Sequence, residues 1–184
     1  MRVIGGELRG RKLSAPVGRA IRPTSDRLRE SIFNILGRRV AANVVLDLFA
    51  GTGAFGIEAL SRGARHAVFV DNSPSALALI TRNLKSCRLE SRAQCIKWNI
   101  AANLDCLDSL GLTFDLVFID PPYDAGLIDP TLGHLQNTHT LHPDTVLIVE
   151  HALREPVLPD TAKFNVFDRR KAGKSLVSFL TCMV

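Results

Sequence analysis

The amino-acid sequence predicts an α/β fold, a mostly parallel sheet with helices on both faces. Three observations carry that prediction. Residues Val44 to Leu48, Ala67 to Val70 and Leu116 to Ile119 are short continuous apolar runs, the pattern of strands covered on both faces. A glycine turn and an apolar helical segment separate the first run from the second, which is the crossover that parallel neighbours require. Acids close the second and third runs, Asp71 and Asp120, at the carboxyl edge where open parallel sheets take their ligands.

The remaining elements come in chain order. Arg2 to Leu13 alternates apolar and basic residues around Gly5-Gly6 and Gly10, so Val3-Ile4 and Leu8 to Leu13 are expected to pair as a small β-ribbon. Pro16 and Gly18 mark a linker, which divides the chain into a basic arm, residues 1–20, and a main domain, residues 21–184. Leu28, Ile32, Ile35 and Leu36 recur at helical spacing up to Gly37. Ile57 and Leu60 lie on the crossover helix, which Gly63 ends. Ser73-Pro74 reads as N-cap and first residue of a helix carrying Leu77, Ile80 and Leu84. A weaker strand at Ala93 to Lys97 precedes a helix expected over Ile100 to Leu110. The fourth strand spans Phe114 to Ile119, one helix falls between Asp124 and Leu141, and Thr145 to Val149 is the fifth strand. Lys163 to Phe167 and Ser175 to Cys182 make a closing hairpin around the basic Arg169 to Lys174 segment.

Charge is distributed unevenly. Residues 1–39 carry ten Lys or Arg against Glu7, Asp26 and Glu30, a net +7, whereas the whole chain is +5. The basic character is therefore an N-terminal property, with Arg2, Arg9, Arg11, Lys12, Arg19 and Arg22 as candidates for contact with nucleic-acid phosphates. The composition, 46% hydrophobic and 22% charged over 184 residues, suits a single globular body. No stretch has the length of a membrane span and the N-terminus lacks a secretory apolar core, so the chain is read as cytoplasmic and monomeric. Cys87, Cys95, Cys106 and Cys182 show no metal-ligand spacing and are expected to be reduced packing residues; no metal is expected. Gly173-Lys174-Ser175 is not a phosphate loop, because Asp168 stands where its first glycine belongs and a strand comes after it.

Gly51, Gly53 and Gly56 match G-x-G-x-x-G, and Asp71 lies twenty residues after Gly51, where an acid meets ribose hydroxyls. A nucleotide-like cofactor is implied. Asp47, inside the strand end, argues against a diphosphate and for a ligand with a cationic amine, as in S-adenosylmethionine (SAM). Ala50 and Asn72 flank these positions in the cofactor set. Asn99, after the third strand, can accept from an adenine amine, and Ile100 can pack on its ring.

Asp120-Pro121-Pro122-Tyr123 fits the methylation of an exocyclic amine. The Asp120 carboxylate and Pro121 carbonyl are two acceptors that aim the nitrogen lone pair, the prolines Pro121 and Pro122 fix the backbone, and Tyr123 offers a stacking face on which the ring matters more than the hydroxyl. The carrier of the amine stays open on these grounds: a guanine or adenine in nucleic acid, or a protein glutamine amide. A non-catalytic RNA-binding assembly factor is the reading from another class.

Arg2-Val3-Ile4-Gly5-Gly6 with Leu8-Arg9-Gly10-Arg11, Arg22-Pro23-Thr24-Ser25-Asp26-Arg27, Asp47-Leu48-Phe49-Ala50-Gly51-Thr52-Gly53 and Asp120-Pro121-Pro122-Tyr123 together resemble the bacterial 16S ribosomal RNA guanine-N2 methyltransferase family (RsmD-like). The resemblance implies a Rossmann-like SAM-dependent methyltransferase fold with a seven-stranded sheet. It also implies methyl transfer to one guanine of 16S ribosomal RNA, within a small-subunit particle, and a place for Thr24 near the methionine end of the cofactor. Trp98-Asn99 departs from the family pattern around the adenine.

Overall fold

The computed structural model describes residues 1–15, 26–155, 163–173 and 175–183. Thr24, Arg19, Arg22, Lys174 and the expected linker at Pro16 to Gly18 lie outside the described residues. Two compact units make up the chain, Met1–Lys97 and Trp98–Val184.

The first unit contains α1 (Asp26–Leu36), a 3-10 turn (Gly37–Val40), β1 (Val44–Leu48), α2 (Ala54–Ser61), β2 (His66–Asp71), α3 (Pro74–Cys87) and β3 (Ala93–Lys97). The second contains β4 (Phe114–Ile119), α4 (Ile128–Gln136), β5 (Leu141–Ala152), β6 (Phe164–Ala172) and β7 (Ser175–Cys182). The seven strands take the order β3-β2-β1-β4-β5-β7-β6. β1 with β2, β2 with β3, and β4 with β5 are parallel; β7 is antiparallel to both β5 and β6. All five residues of β1 are buried, four of them apolar and the fifth the carboxylate Asp47, whereas β3 is an edge strand and is more exposed.

Local chemistry places the helices. Ser73 caps α3, its hydroxyl accepting from the Ala76 N–H, and Pro74 occupies the first helical position. In α1 the buried positions are Leu28, Arg29, Ile32, Phe33 and Leu36; Ile35, expected inside, is exposed and Phe33 fills the interior in its place. The helix expected over Ile100 to Leu110 is absent. A chain of turns ends in a 3-10 segment at Asp108–Leu110. Asn103 is the physical reason: its Oδ1 accepts from the Asp105 N–H and, with its own carbonyl, from the Trp98 indole, a local pattern that competes with helical hydrogen bonds.

The N-terminal ribbon is shorter than expected, a single antiparallel bridge between Arg2 and Lys12. Val3 donates to the Arg11 carbonyl and Gly10 to that of Val3, but the Ile4 and Gly5 N–H groups leave the ladder and donate to the two carboxylate oxygens of Glu58, at 2.8 Å each. Glu58 is a buried residue of α2, and it also pairs with Arg62 at 2.8 Å and stands 3.7 Å from the fully buried Arg29. The arm thus covers α2, all of whose residues are buried. Glu7 donates to the Ser61 carbonyl at the end of the helix, and a Cβ on Gly6 would fall 1.9 Å from that same oxygen. Close approach explains the Gly5-Gly6 pair better than flexibility does. Val3 and Leu13 are core residues, so this basic segment is an integral layer of the first unit.

Candidate active site

In the first unit, the chain leaves β1 through Phe49 and Gly51, both with positive φ, and enters α2 at Gly53, φ 74°. Phe49 is a non-glycine residue in the left-handed region, a conformation that costs energy and is held by its surroundings. Ala50 is fixed between the strands, donating to the Val70 carbonyl while its own carbonyl accepts from Gly53.

The glycines have separate tasks. A Cβ on Gly51 would stand 3.8 Å from its nearest neighbour, the Phe49 carbonyl oxygen, so the turn is open there to an approaching ligand. A Cβ on Gly56 would instead fall 2.3 Å from the Phe69 ring, which makes this glycine the close contact between α2 and β2.

Two carboxylates support the turn. Asp71 accepts from the Gly51 N–H at 2.9 Å through Oδ2 and from the Ser73 N–H at 2.8 Å through Oδ1. Each oxygen retains a further lone pair, compatible with ribose hydroxyls. Asp47 is 1% exposed, and its Oδ2 accepts from Gly56 at 2.9 Å. Gly56 is the third residue of α2, whose N-cap Gly53 has no side chain to offer, so Asp47 caps the helix from the neighbouring strand. Asp47 thus lies beneath the turn with one carboxylate oxygen engaged by α2, a structural contact that the sequence reading of this acid as a partner for a cationic amine did not include. Asn72, beside Asp71, is exposed.

Asn83 was not legible as a site residue. It is fully buried in α3 and joins the arm to the glycine turn: Oδ1 accepts from the Ser14 N–H, and Nδ2 donates to the carbonyls of Ser14 and Thr52. Arg2, Arg9, Arg11 and Lys12 are exposed. Arg11 also donates to the Ser86 carbonyl, and the Arg2 Nε stands 3.9 Å from Asp26.

In the second unit, Asp120 comes directly after β4, Pro121 is buried and Pro122 is exposed. Tyr123 is 42% exposed, yet its hydroxyl donates to Glu150 Oε1 at 2.6 Å, and Glu150, on β5, is buried. Burial, and then the Glu150 hydrogen bond, push the phenol well above its ordinary pKa, so the hydroxyl stays protonated and donating. The hydroxyl is therefore anchored, a contact that the sequence reading of the ring as a stacking face did not include. Asn99 is exposed and Ile100 is buried.

Of the cysteines only Cys87 is buried, against the expectation of packing residues; Cys95 is exposed, and burial pushes the half-covered Cys106 and Cys182 thiols up to about 11. Such thiols are poor nucleophiles at neutral pH. Among the described residues no group of three His, Cys, Asp or Glu could hold a metal, and no helix is long and apolar enough to cross a membrane.

Sheet order, glycine turn and strand-end acids define a Rossmann-like fold of the SAM-dependent methyltransferase class. Within that class the chain belongs to the family described as Conserved hypothetical protein 95, which matches residues 1–181. It is 38% identical over 171 residues to YlbH of Bacillus subtilis (strain 168), spanning 93% of this chain and 92% of that one. It is 32% identical over 174 residues to the Ribosomal RNA small subunit methyltransferase D of Escherichia coli (strain K12), 95% of this chain and 86% of the relative. A solved structure of a hypothetical protein from Thermus thermophilus superposes with a TM-score of 0.82 at 28% identity, covering 97% of this chain and 98% of that one.

Proposed function

We propose that the protein is a SAM-dependent ribosomal RNA methyltransferase that modifies the exocyclic N2 amine of a guanine in small-subunit RNA. The observation that carries this reading is Asp120-Pro121-Pro122-Tyr123 at the carboxyl end of β4, in a chain similar over nearly its full length to an rRNA methyltransferase. When bound, SAM supplies an electrophilic methyl group on a sulfonium. The first unit holds the cofactor: Gly51 allows it to approach the backbone, Gly53 with its positive φ carries the turn closely over Ile80 and Phe69, Asp71 accepts from ribose hydroxyls while bracing Gly51, and Asp47 keeps α2 in place beneath. Ala50, Asn72 and Thr24 complete the proposed set.

The second unit prepares the nucleophile. The Asp120 carboxylate and the Pro121 carbonyl accept hydrogen bonds from the two amine N–H groups, which turns the nitrogen lone pair out of conjugation with the base and toward the methyl group. As the nitrogen–carbon bond forms and the sulfur–methyl bond breaks, positive charge grows on nitrogen, the Asp120 carboxylate stabilises it more than it stabilised the neutral amine, and the surplus proton then leaves the methylated nitrogen for solvent. Tyr123 stacks on the base. Arg2, Arg9, Arg11 and Lys12, with Arg19 and Arg22, supply phosphate contacts that position the RNA without reading its sequence.

The test is single-turnover methylation of a small-subunit ribosomal RNA transcript, and of assembled small subunits, with radiolabelled SAM and subsequent nucleoside analysis. N2-methylguanosine is the expected product. Asp120→Ala is expected to lower the rate by about a hundredfold or more with RNA affinity nearly unchanged. Methyladenosine as product, or a wild-type rate in Asp120→Ala, would overturn the assignment.

A further inference from the structure

Tyr123 combines two features that do not ordinarily go together. Its ring is nearly half exposed, while its hydroxyl is bonded to a carboxylate that is only 4% exposed. A surface tyrosine gains little from a buried acceptor unless its orientation matters, because an exposed phenol can use water instead. The acceptor is also placed on a rigid support. Glu150 lies on β5 between β4 and β7, directly after Val149, the register partner of Ile119, and opposite Val177. It therefore sits one step beyond the strand pair from which Asp120 emerges. Ser175, buried and opposite Ala152, acts on the same phenol in the opposite sense to Glu150, favouring its ionised form.

Asp120 to Tyr123 turns back over the end of β5, and the Tyr123 hydroxyl is the point at which that turn is fastened. We infer that Glu150 is a positioning residue: by accepting a hydrogen bond from the Tyr123 hydroxyl it fixes where the ring lies and favours the ring plane that contains the O–H bond, and with it the placement of the base whose amine meets Asp120. This rests on the proposed role of Asp120 to Tyr123 in holding the base. Glu150 touches neither base nor cofactor in this scheme. Its effect passes through the tyrosine, whose two side-chain torsions are restrained at the far end of the ring, leaving the face open for stacking.

The chain offers its own spectroscopic reporter, since Tyr123 is its one tyrosine. Ultraviolet difference absorbance of the phenolate therefore reads this hydroxyl alone. Glu150→Ala is expected to increase the fraction ionised at a fixed alkaline pH at which circular dichroism still shows a folded chain. The same variant is expected to lower the single-turnover rate on the ribosomal RNA transcript about ten- to a hundredfold, with SAM affinity by calorimetry unchanged. Glu150→Gln keeps an acceptor oxygen and is expected to stay within about threefold of wild type, which separates hydrogen bonding from charge.

Tyr123→Phe, a change at a half-exposed ring that cannot unfold the core, is expected to lose as much as Glu150→Ala. The Tyr123→Phe, Glu150→Ala double variant is expected to lose no more than the worse single change, because both remove one contact. Losses that multiply in the double variant, or a wild-type rate in Glu150→Ala despite an altered phenol titration, overturn the inference while leaving the tyrosine's role intact. A wild-type rate in Tyr123→Ala overturns the underlying reading of the tyrosine itself.

Discussion

Gly56→Ala is a test of how the glycine turn divides its labour. Alanine ordinarily stabilises a helical position relative to glycine by about 1 kcal/mol. Here the added methyl would stand 2.3 Å and 2.5 Å from two carbons of the Phe69 ring, well inside ordinary contact, and Phe69 is fully buried in β2. The ring cannot swing into solvent, so α2 must lift from the strand or the ring must leave its rotamer. Overpacking of this kind costs about 3 kcal/mol at its upper range. Set against the helical gain, the expected net loss is about 2 kcal/mol, which for a chain of this size is a fall in melting temperature of roughly 4–8 °C. Urea and thermal unfolding measure it. Phe69→Leu, made in the same background, opens space for the methyl, so the double variant should be more stable than the sum of the single losses by at least about 1 kcal/mol. SAM affinity of the folded fraction should not change. Stability at or above wild type in Gly56→Ala, or strict additivity with Phe69→Leu, would refute the packing explanation for the third glycine.

Asp47→Ala removes the cap of α2 and leaves the Gly56 N–H without its partner, at a cost of about 1–2 kcal/mol in urea unfolding; Asp47→Asn, which keeps an acceptor, should recover much of that stability. Both variants should weaken SAM binding in calorimetry, because the turn above the carboxylate is the proposed cofactor seat. Neutralising Arg9, Arg11 and Lys12 together should reduce the slope of log affinity against log salt by up to about 2 for single-stranded RNA, with SAM affinity retained. An unchanged slope would mean that these exposed side chains are solvated and carry no phosphate contact.

The strands were legible because burial on both faces leaves an unbroken apolar run, as in Leu116 to Ile119, and because glycines and prolines punctuate the segments between them. The turn and Asp120 to Tyr123 were legible because their chemistry is contiguous in sequence. Glu58, Asn83 and Glu150 were not. Each acts through a bond to a residue far along the chain, Ile4 for Glu58, Ser14 for Asn83 and Tyr123 for Glu150, and periodicity holds no trace of such pairings. A carboxylate in the otherwise apolar run Ala54 to Leu60 was the one visible hint of a buried partner. The helix expected at Ile100 to Leu110 failed for a local reason, since the side chain of Asn103 takes the hydrogen bonds that would have begun it.

The way the arm is fastened also orders events in time. Ile4 waits for Glu58, 54 residues later, and Ser14 waits for Asn83, 69 residues later. At translation rates of about 5–20 residues per second, roughly 3–14 s pass between synthesis of a basic segment and synthesis of the carboxylate or amide that seats it. During that interval Arg2, Arg9, Arg11 and Lys12 belong to a basic segment whose partners on α2 and α3 have yet to be made, and which is attracted to any phosphate it meets. Seating the arm on α2 and α3 ends that promiscuity, because it converts diffuse charge into a fixed pattern. The contacts that hold it span long sequence separations and so carry the larger loop-closure cost as the first unit folds.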